Sequence, residues 1–325
     1  MKTFKLLPLL ILFVAAFSAC DTEPEVVPQE IVLQHYTNSN SSLPNDNIND
    51  IAVDNTGVVW VATEEGLASI DGSTITVYNT QNSDLQSNII KSIVFDNDNN
   101  LWLGTYPGGL YKKSGAEWTL YNSENTPFTS NYVGSVEVDN DGNIWTSYAS
   151  TLYKYDGTTW SEFSSNNQFT ENVSFTYGNS RIIFDDENNI YASSDKGLVK
   201  FDGTNWSIYN TSNSNIFAND IAEIVFDQSD NIWCAHTFTE KIEMFDGTTW
   251  STYSQQSRAI FCDTNGKVWS GNGVHLIRFN SNSWVQIDET DNSDFMAYPL
   301  CFANDNDGHL WIGTANGIYK MKENI

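Results

Sequence analysis

The chain has 325 residues, of which 40% are hydrophobic and 14% aromatic, and a formal net charge of −26 at pH 7. Such charge repels nucleic acid and anionic lipid head groups, so neither is an expected partner. None of the four cysteines sits in a close pair of zinc-ligand spacing, and the three beyond Cys20 cannot all pair internally, although one disulfide among Cys234, Cys262 and Cys301 is open.

Residues 1–19 read as a leader. Lys2 and Lys5 form a basic start, Leu6 to Phe17 an apolar run, and Phe17-Ser18-Ala19-Cys20 its end. The run is too short and too early for a spanning helix. Small residues before a cysteine resemble a bacterial lipobox, with Phe17 where Leu is usual. The resemblance implies cleavage before Cys20 and lipid on its thiol and amine; the alternative is an ordinary signal peptide with a chance cysteine. Residues 20–30 are acidic, carry Pro24 and Pro28, and read as a tether. Acidic residues after such a cysteine look like the surface-export signals of Bacteroidetes lipoproteins. The expected address is therefore an outer-membrane lipoprotein, on the cell surface or the periplasmic face.

From residue 31 to 325 one pattern recurs seven times: an apolar pair, Asp, a polar turn, Trp, then Gly-Leu and Asp-Gly. The Trp position is held by Trp60, Trp102, Trp145, Tyr191, Trp233, Trp269 and Trp311, at steps of 42, 43, 46, 42, 36 and 42 residues. The third copy is the cleanest. Val136-Glu137-Val138-Asp139 alternates at period two and predicts an inner strand; Asn140-Asp141-Gly142-Asn143 predicts a turn. Ile144-Trp145-Thr146-Ser147, Leu152-Tyr153-Lys154-Tyr155 and Trp160-Ser161-Glu162-Phe163 predict three further strands, the last two joined by an Asp156-Gly157 hairpin. Asp71-Gly72, Asp202-Gly203 and Asp246-Gly247 repeat that hairpin. Nothing in this span has a helical period. The reading is all-β: a seven-bladed β-propeller of four-stranded antiparallel blades, with the Trp positions between stacked blades.

The seventh copy lacks an outer strand, because only four residues follow Gly317-Ile318-Tyr319-Lys320-Met321. Ile31-Val32-Leu33-Gln34-His35-Tyr36 aligns with the outer strand of the second copy, Glu117-Trp118-Thr119-Leu120-Tyr121. It is expected to complete the last blade and join the ends of the ring, leaving no open sheet edge.

The runs Asp139 to Trp145, Asp305 to Thr314, and Leu101-Trp102-Leu103-Gly104-Thr105 with Gly109-Leu110-Tyr111 resemble the two-component regulator propeller repeat. Members of that family often form the periplasmic sensor half of hybrid two-component systems that recognise oligosaccharides. This chain shows no spanning helix, kinase or response-regulator region after the propeller. That departure sets the signalling role aside and leaves a free-standing, lipid-anchored binding module as the expectation.

Chemistry is sparse. The Asp-rich turns resemble half of a calcium loop, but the position eleven residues on, Glu in an EF-hand, holds Pro107, Ser150 or Asn316, so a structural turn is expected and no metal or other cofactor. His35, His236, His275 and His309 are scattered, and no nucleophile elbow or phosphate-cradling loop is present. The connections that vary are the outer-to-inner and second-to-third-strand loops, which share one face of a propeller. They hold aromatics among Asn, Ser and Thr, which suits sugar rings. Candidate ligand-binding residues are Tyr106, Phe128, Tyr148, Tyr177, His236, Phe238, Phe295 and Tyr298; Phe169, Phe175, Phe217 and Tyr132 lie in the same loops. The expected function is reversible binding of a small-molecule or oligosaccharide ligand without catalysis. The alternatives are a protein-interaction scaffold with an envelope partner and a propeller hydrolase or lyase.

Overall fold

The computed structural model describes residues 31–164, 173–175, 181–236, 238–239, 241–287 and 298–323. Cys20, the leader and the tether, Tyr177 and Phe295 fall outside these residues. Every regular element described is a strand, and the strands form seven four-stranded antiparallel sheets. Six sheets run in chain order from inner to outer strand. The seventh is built from both termini: Ile31–Tyr36 pairs antiparallel with Gly317–Glu323, from Ile31 opposite Glu323 to Tyr36 opposite Ile318. The ring closes as the incomplete last repeat requires.

The repeated Asp and Trp form a device that folds each inner hairpin. Asp139 lies just past the inner strand Ser135–Val138 rather than within it. Its carboxylate accepts the amides of Asp141 and Asn143 and the indole N–H of Trp145 at 2.9 Å. The same carboxylate-to-indole bond joins Asp54 to Trp60, Asp96 to Trp102, Asp227 to Trp233, Asp263 to Trp269 and Asp305 to Trp311. The position three residues after each Asp has positive φ: Gly57, Asn99, Gly142, Asn188, Asp230, Gly266 and Gly308. Only Gly, Asn and Asp reach that backbone region cheaply, which is why the turns contain nothing else there. Burial works against ionisation of these carboxyls, but the indole and amide donors outweigh it and hold Asp54, Asp96, Asp139, Asp227 and Asp305 below the usual carboxylate range.

The Trp rings fill the layers between blades. Trp233 and Trp269 are fully buried, and Trp102 with Leu110 of its own blade packs against Phe128, Val133, Val136, Ile144 and Tyr153 on the side of the next blade. A cation opposite on the third strand covers several of them: Lys112 over Trp102, Lys154 over Trp145, Lys320 over Trp311 and Arg278 over Trp269. Cys234, Cys262 and Cys301 are all free; Cys234 and Cys301 are buried, and burial pushes their thiols up.

Candidate ligand-binding face

The loops entering each blade are built alike. In four of them an Asn side chain folds back on its own loop: Asn40, Asn82, Asn125 and Asn213 each accept the amide three residues earlier, at Thr37, Asn79, Asn122 and Asn210. Asp46, Asn88, Asn131 and Asn219 accept a second loop amide eight residues earlier. These side chains are committed to loop geometry, so the Asn-rich loop composition does not translate into free amides for a ligand.

The same loops carry an apolar plug seven residues after the outer-strand tyrosine. Tyr36, Tyr78, Tyr121 and Tyr209 are followed at that distance by Leu43, Leu85, Phe128 and Ile216, all buried. Phe128 is thus core, packed 4.8 Å from the rings of Tyr153 and Trp160. The expectation that it faces a ligand does not hold, and the plug spacing is the sequence signal that distinguishes it. His236 is also buried; its Nε2 bonds Glu243 at 2.9 Å, and Glu243 in turn takes the Phe217 amide. Phe175 packs inward against Trp145's blade in the same way.

Other candidates do reach the surface. Tyr106 is 47% exposed and its ring stacks on Tyr132 at 4.2 Å; Tyr148 follows at 6.1 Å from Tyr132. Tyr106 and Tyr132 sit in loops of blades two and three, and Tyr148 ends the strand Ile144–Tyr148. Backbone bonds from Tyr106 to Ile89 and from Gly108 and Gly109 to Asn131 hold the loop that carries Tyr106. Across the ring, Tyr298 is 57% exposed and helps line a cavity of about 360 Å³ with Gln256, Ser257, Arg258, Gly271, Gly273, Pro299, Leu300 and Ala315. Phe238 and Phe217, the most exposed aromatics of blade five, stand apart from both.

The centre of the ring holds a cluster that the repeat pattern hid. Ten residues before each Trp position stand Asp50, Ser92, Ser135, Arg181, Glu223, Ala259 and Cys301, one per blade. They stand at one level of the inner strands, as their pairing with residues two past the Trp shows: Asp50 with Ala62, Ser92 with Gly104, Glu223 with Ala235, Cys301 with Gly313. Arg181 reaches across to three carboxylates: Nε to Glu223 at 2.6 Å, Nη2 to Asp50 at 3.1 Å and Nη1 to Glu137 at 3.4 Å. Asp50 and Glu223 also accept the amides of Ile93 and Ile260. Burial raises Glu137 from 4.5 to about 7; Arg181 opposes this, while Asp50 and Glu223 add to it. The space left beside this cluster is about 10 Å³, room for at most one water. It is a plug, and it leaves no room for a substrate.

The family model described as two component regulator propeller matches residues 42–65, 84–106 and 296–316, each running from a loop plug or inner strand into the Trp strand. These are two-component regulator propeller repeats. No curated protein matches the chain. Among solved structures it is similar to the extracellular domain assigned to a hybrid two-component system of B. thetaiotaomicron, at 19% identity and a TM-score of 0.74 over 90% of this chain and 42% of that one. It is similar to virginiamycin B lyase of Staphylococcus aureus at 15% identity and 0.72, over 91% of this chain and all of that one. It is similar to PorZ, a surface component of the type-IX secretion system of Porphyromonas gingivalis, at 16% identity and 0.65, over 85% of this chain and 46% of that one. The chain spans less than half the length of the first and third. At these identities the likeness is one of fold.

Proposed function

We propose that the chain is an extracytoplasmic ligand-binding propeller, held to a membrane by lipid on Cys20, that takes a glycan on the face of its outer-to-inner loops. The observation that carries this reading is the stacked pair of Tyr106 and Tyr132, with Tyr148 tilted beside it. Three neighbouring tyrosines, with Tyr106 nearly half exposed, offer ring faces to the C–H patches of successive sugars and hydroxyls to their oxygens. The rings are already ordered by stacking, so little freedom is lost on binding. The extracellular and surface-component roles of two neighbours in fold support the address.

The test is a glycan-array screen of the chain from residue 21 onward, followed by calorimetry of the best hit. Tyr106→Ala is expected to leave folding within about 0.5 kcal/mol, as surface changes do, and to weaken that hit by roughly tenfold. Unchanged affinity in Tyr106→Ala and Tyr132→Ala moves the site elsewhere. The second reading, an interaction scaffold, is favoured by Phe217 and Phe238, exposed at 53% and 72% on blade five away from the tyrosines. It takes over if no glycan binds and Phe238→Ala abolishes capture of a defined envelope protein.

A further inference from the structure

The cavity between blades six and seven differs from the tyrosine stack in holding an unpaired cation. Arg258 lines it on the loop entering blade six and makes no hydrogen bond or ion pair among the described residues. Acidic residues outnumber basic ones 41 to 15, so a surface arginine has partners in abundance. Several cations find them: Lys91 pairs with Glu64, Lys112 with Asp96, Lys154 with Asp139 and Lys320 with Asp305. A guanidinium left free beside a concave wall is poised for an anion from outside.

The rest of the cavity sets the body of that anion. Its volume, about 360 Å³, is at the lower end for small-molecule sites. Pro299, Leu300 and the half-exposed ring of Tyr298 supply an apolar wall. Gly271 makes that wall possible, since a Cβ there would lie 2.6 Å from the Pro299 ring. Gln256 is exposed at the rim and free to answer a hydroxyl. The overall charge decides between anions. One guanidinium neutralises one negative charge, and the −26 of the chain opposes any further charge the ligand brings. A phosphate ester or a polyanion is disfavoured; a single carboxylate is not.

We propose that this cavity is a second binding site, for a carboxylate carried on a ring of sugar size, a uronic acid unit, with Arg258 on the carboxylate and Tyr298 against the ring. The site does not depend on the tyrosine stack of blades two and three. The probe is galacturonic acid, titrated by calorimetry into the chain from residue 21 onward, with galactose as the neutral control. Galacturonate is expected to bind about tenfold or more tightly than galactose. Arg258→Gln should lose that preference, Arg258→Lys should keep part of it, and Tyr298→Ala should weaken both sugars, each variant with an unchanged melting temperature. Tyr106→Ala should leave galacturonate binding as it was. Equal affinity for the two sugars, absent galacturonate binding, or full binding in Arg258→Gln overturns the proposal. Loss in Tyr106→Ala with retention in Arg258→Gln also overturns it, and assigns the acidic sugar to the tyrosine stack.

Discussion

Two layers of the propeller, at opposite ends of the same inner strands, are built on opposite principles. In the turn layer, each blade does the same thing: an Asp gathers two amides and, in six blades, an indole. In the channel layer, seven structurally equivalent positions hold seven residues of mixed character, and one arginine draws three carboxylates from blades one, three and five. The Asp device of the turn layer closes within each blade, and its turns bond only to the turns of adjacent blades, as Asn140 does to Asn188. The channel layer ties distant blades to one another. Repetition marks what a blade needs, and departure from it marks what only the assembled ring needs.

The largest test acts on both layers at once. Deleting residues 31–38 removes the strand that closes blade seven and bares the edge of Gly317–Glu323. A steep fall in melting temperature with loss of a single cooperative transition is expected; an unchanged melting curve would show that the ring stands without closure. Arg181→Met comes next. It leaves Asp50, Glu137 and Glu223 facing one another with no cation, and about 3–5 kcal/mol should be lost at pH 7 in denaturant unfolding. A loss under about 1 kcal/mol would mean that water already screens the cluster and that the channel layer ties nothing together.

The turn layer should give less per site. Asp139→Asn keeps one acceptor for the Asn143 amide but removes the charge-assisted bond to Trp145, for an expected loss of about 1–3 kcal/mol. The same change at Asp227 should match it, because the blades fold alike here. Values that differ widely between blades would break the claim that this layer repeats in energy as well as in geometry.

Acidity separates the layers by sign. The turn carboxyls are held low, so what they contribute is present above their ordinary value near 3.8 and is lost as pH falls through their lowered folded values. Glu137 is raised from 4.5 to about 7, so its contribution is complete below pH 4.5 and is lost as pH rises through about 7. Stability should therefore decline on both sides of mildly acidic pH, from different layers. Glu137→Gln should flatten the decline between pH 5 and 8 (about 1–3 kcal/mol from a shift of this size) and leave the acid limb alone. Glu223, raised in the same direction by burial, keeps a residual slope. An identical pH profile for Glu137→Gln would detach the alkaline limb from the channel.

How much of this could be read in advance follows from the same contrast. The turn Asp, the Trp and the Asp-Gly hairpins are local devices spaced within one hairpin, so their chemistry repeats with the fold and shows as a period. The closing strand was legible for a related reason: a missing seventh outer strand and a spare copy of it at the other end. The loop aromatics were not separable by type alone. Phe128 and Tyr106 are both rings in variable loops, yet one lies in the repeated plug position and is buried, and the other stacks on the surface. The Asn residues beside them looked available until their side chains were seen folded onto loop amides.

The amino-acid sequence by itself determined the blade, the number of blades and the way the ring closes, because each rests on contacts between residues close in the chain or on a repeat that can be counted. Only the tertiary structure decided that Arg181 meets Asp50, Glu137 and Glu223, and that Arg258 and Tyr298 share one cavity. Arg181 and Asp50 are 131 residues apart, and no local propensity records their meeting. It exists because seven hairpins, once closed into a circle, bring their inner strands around a common axis.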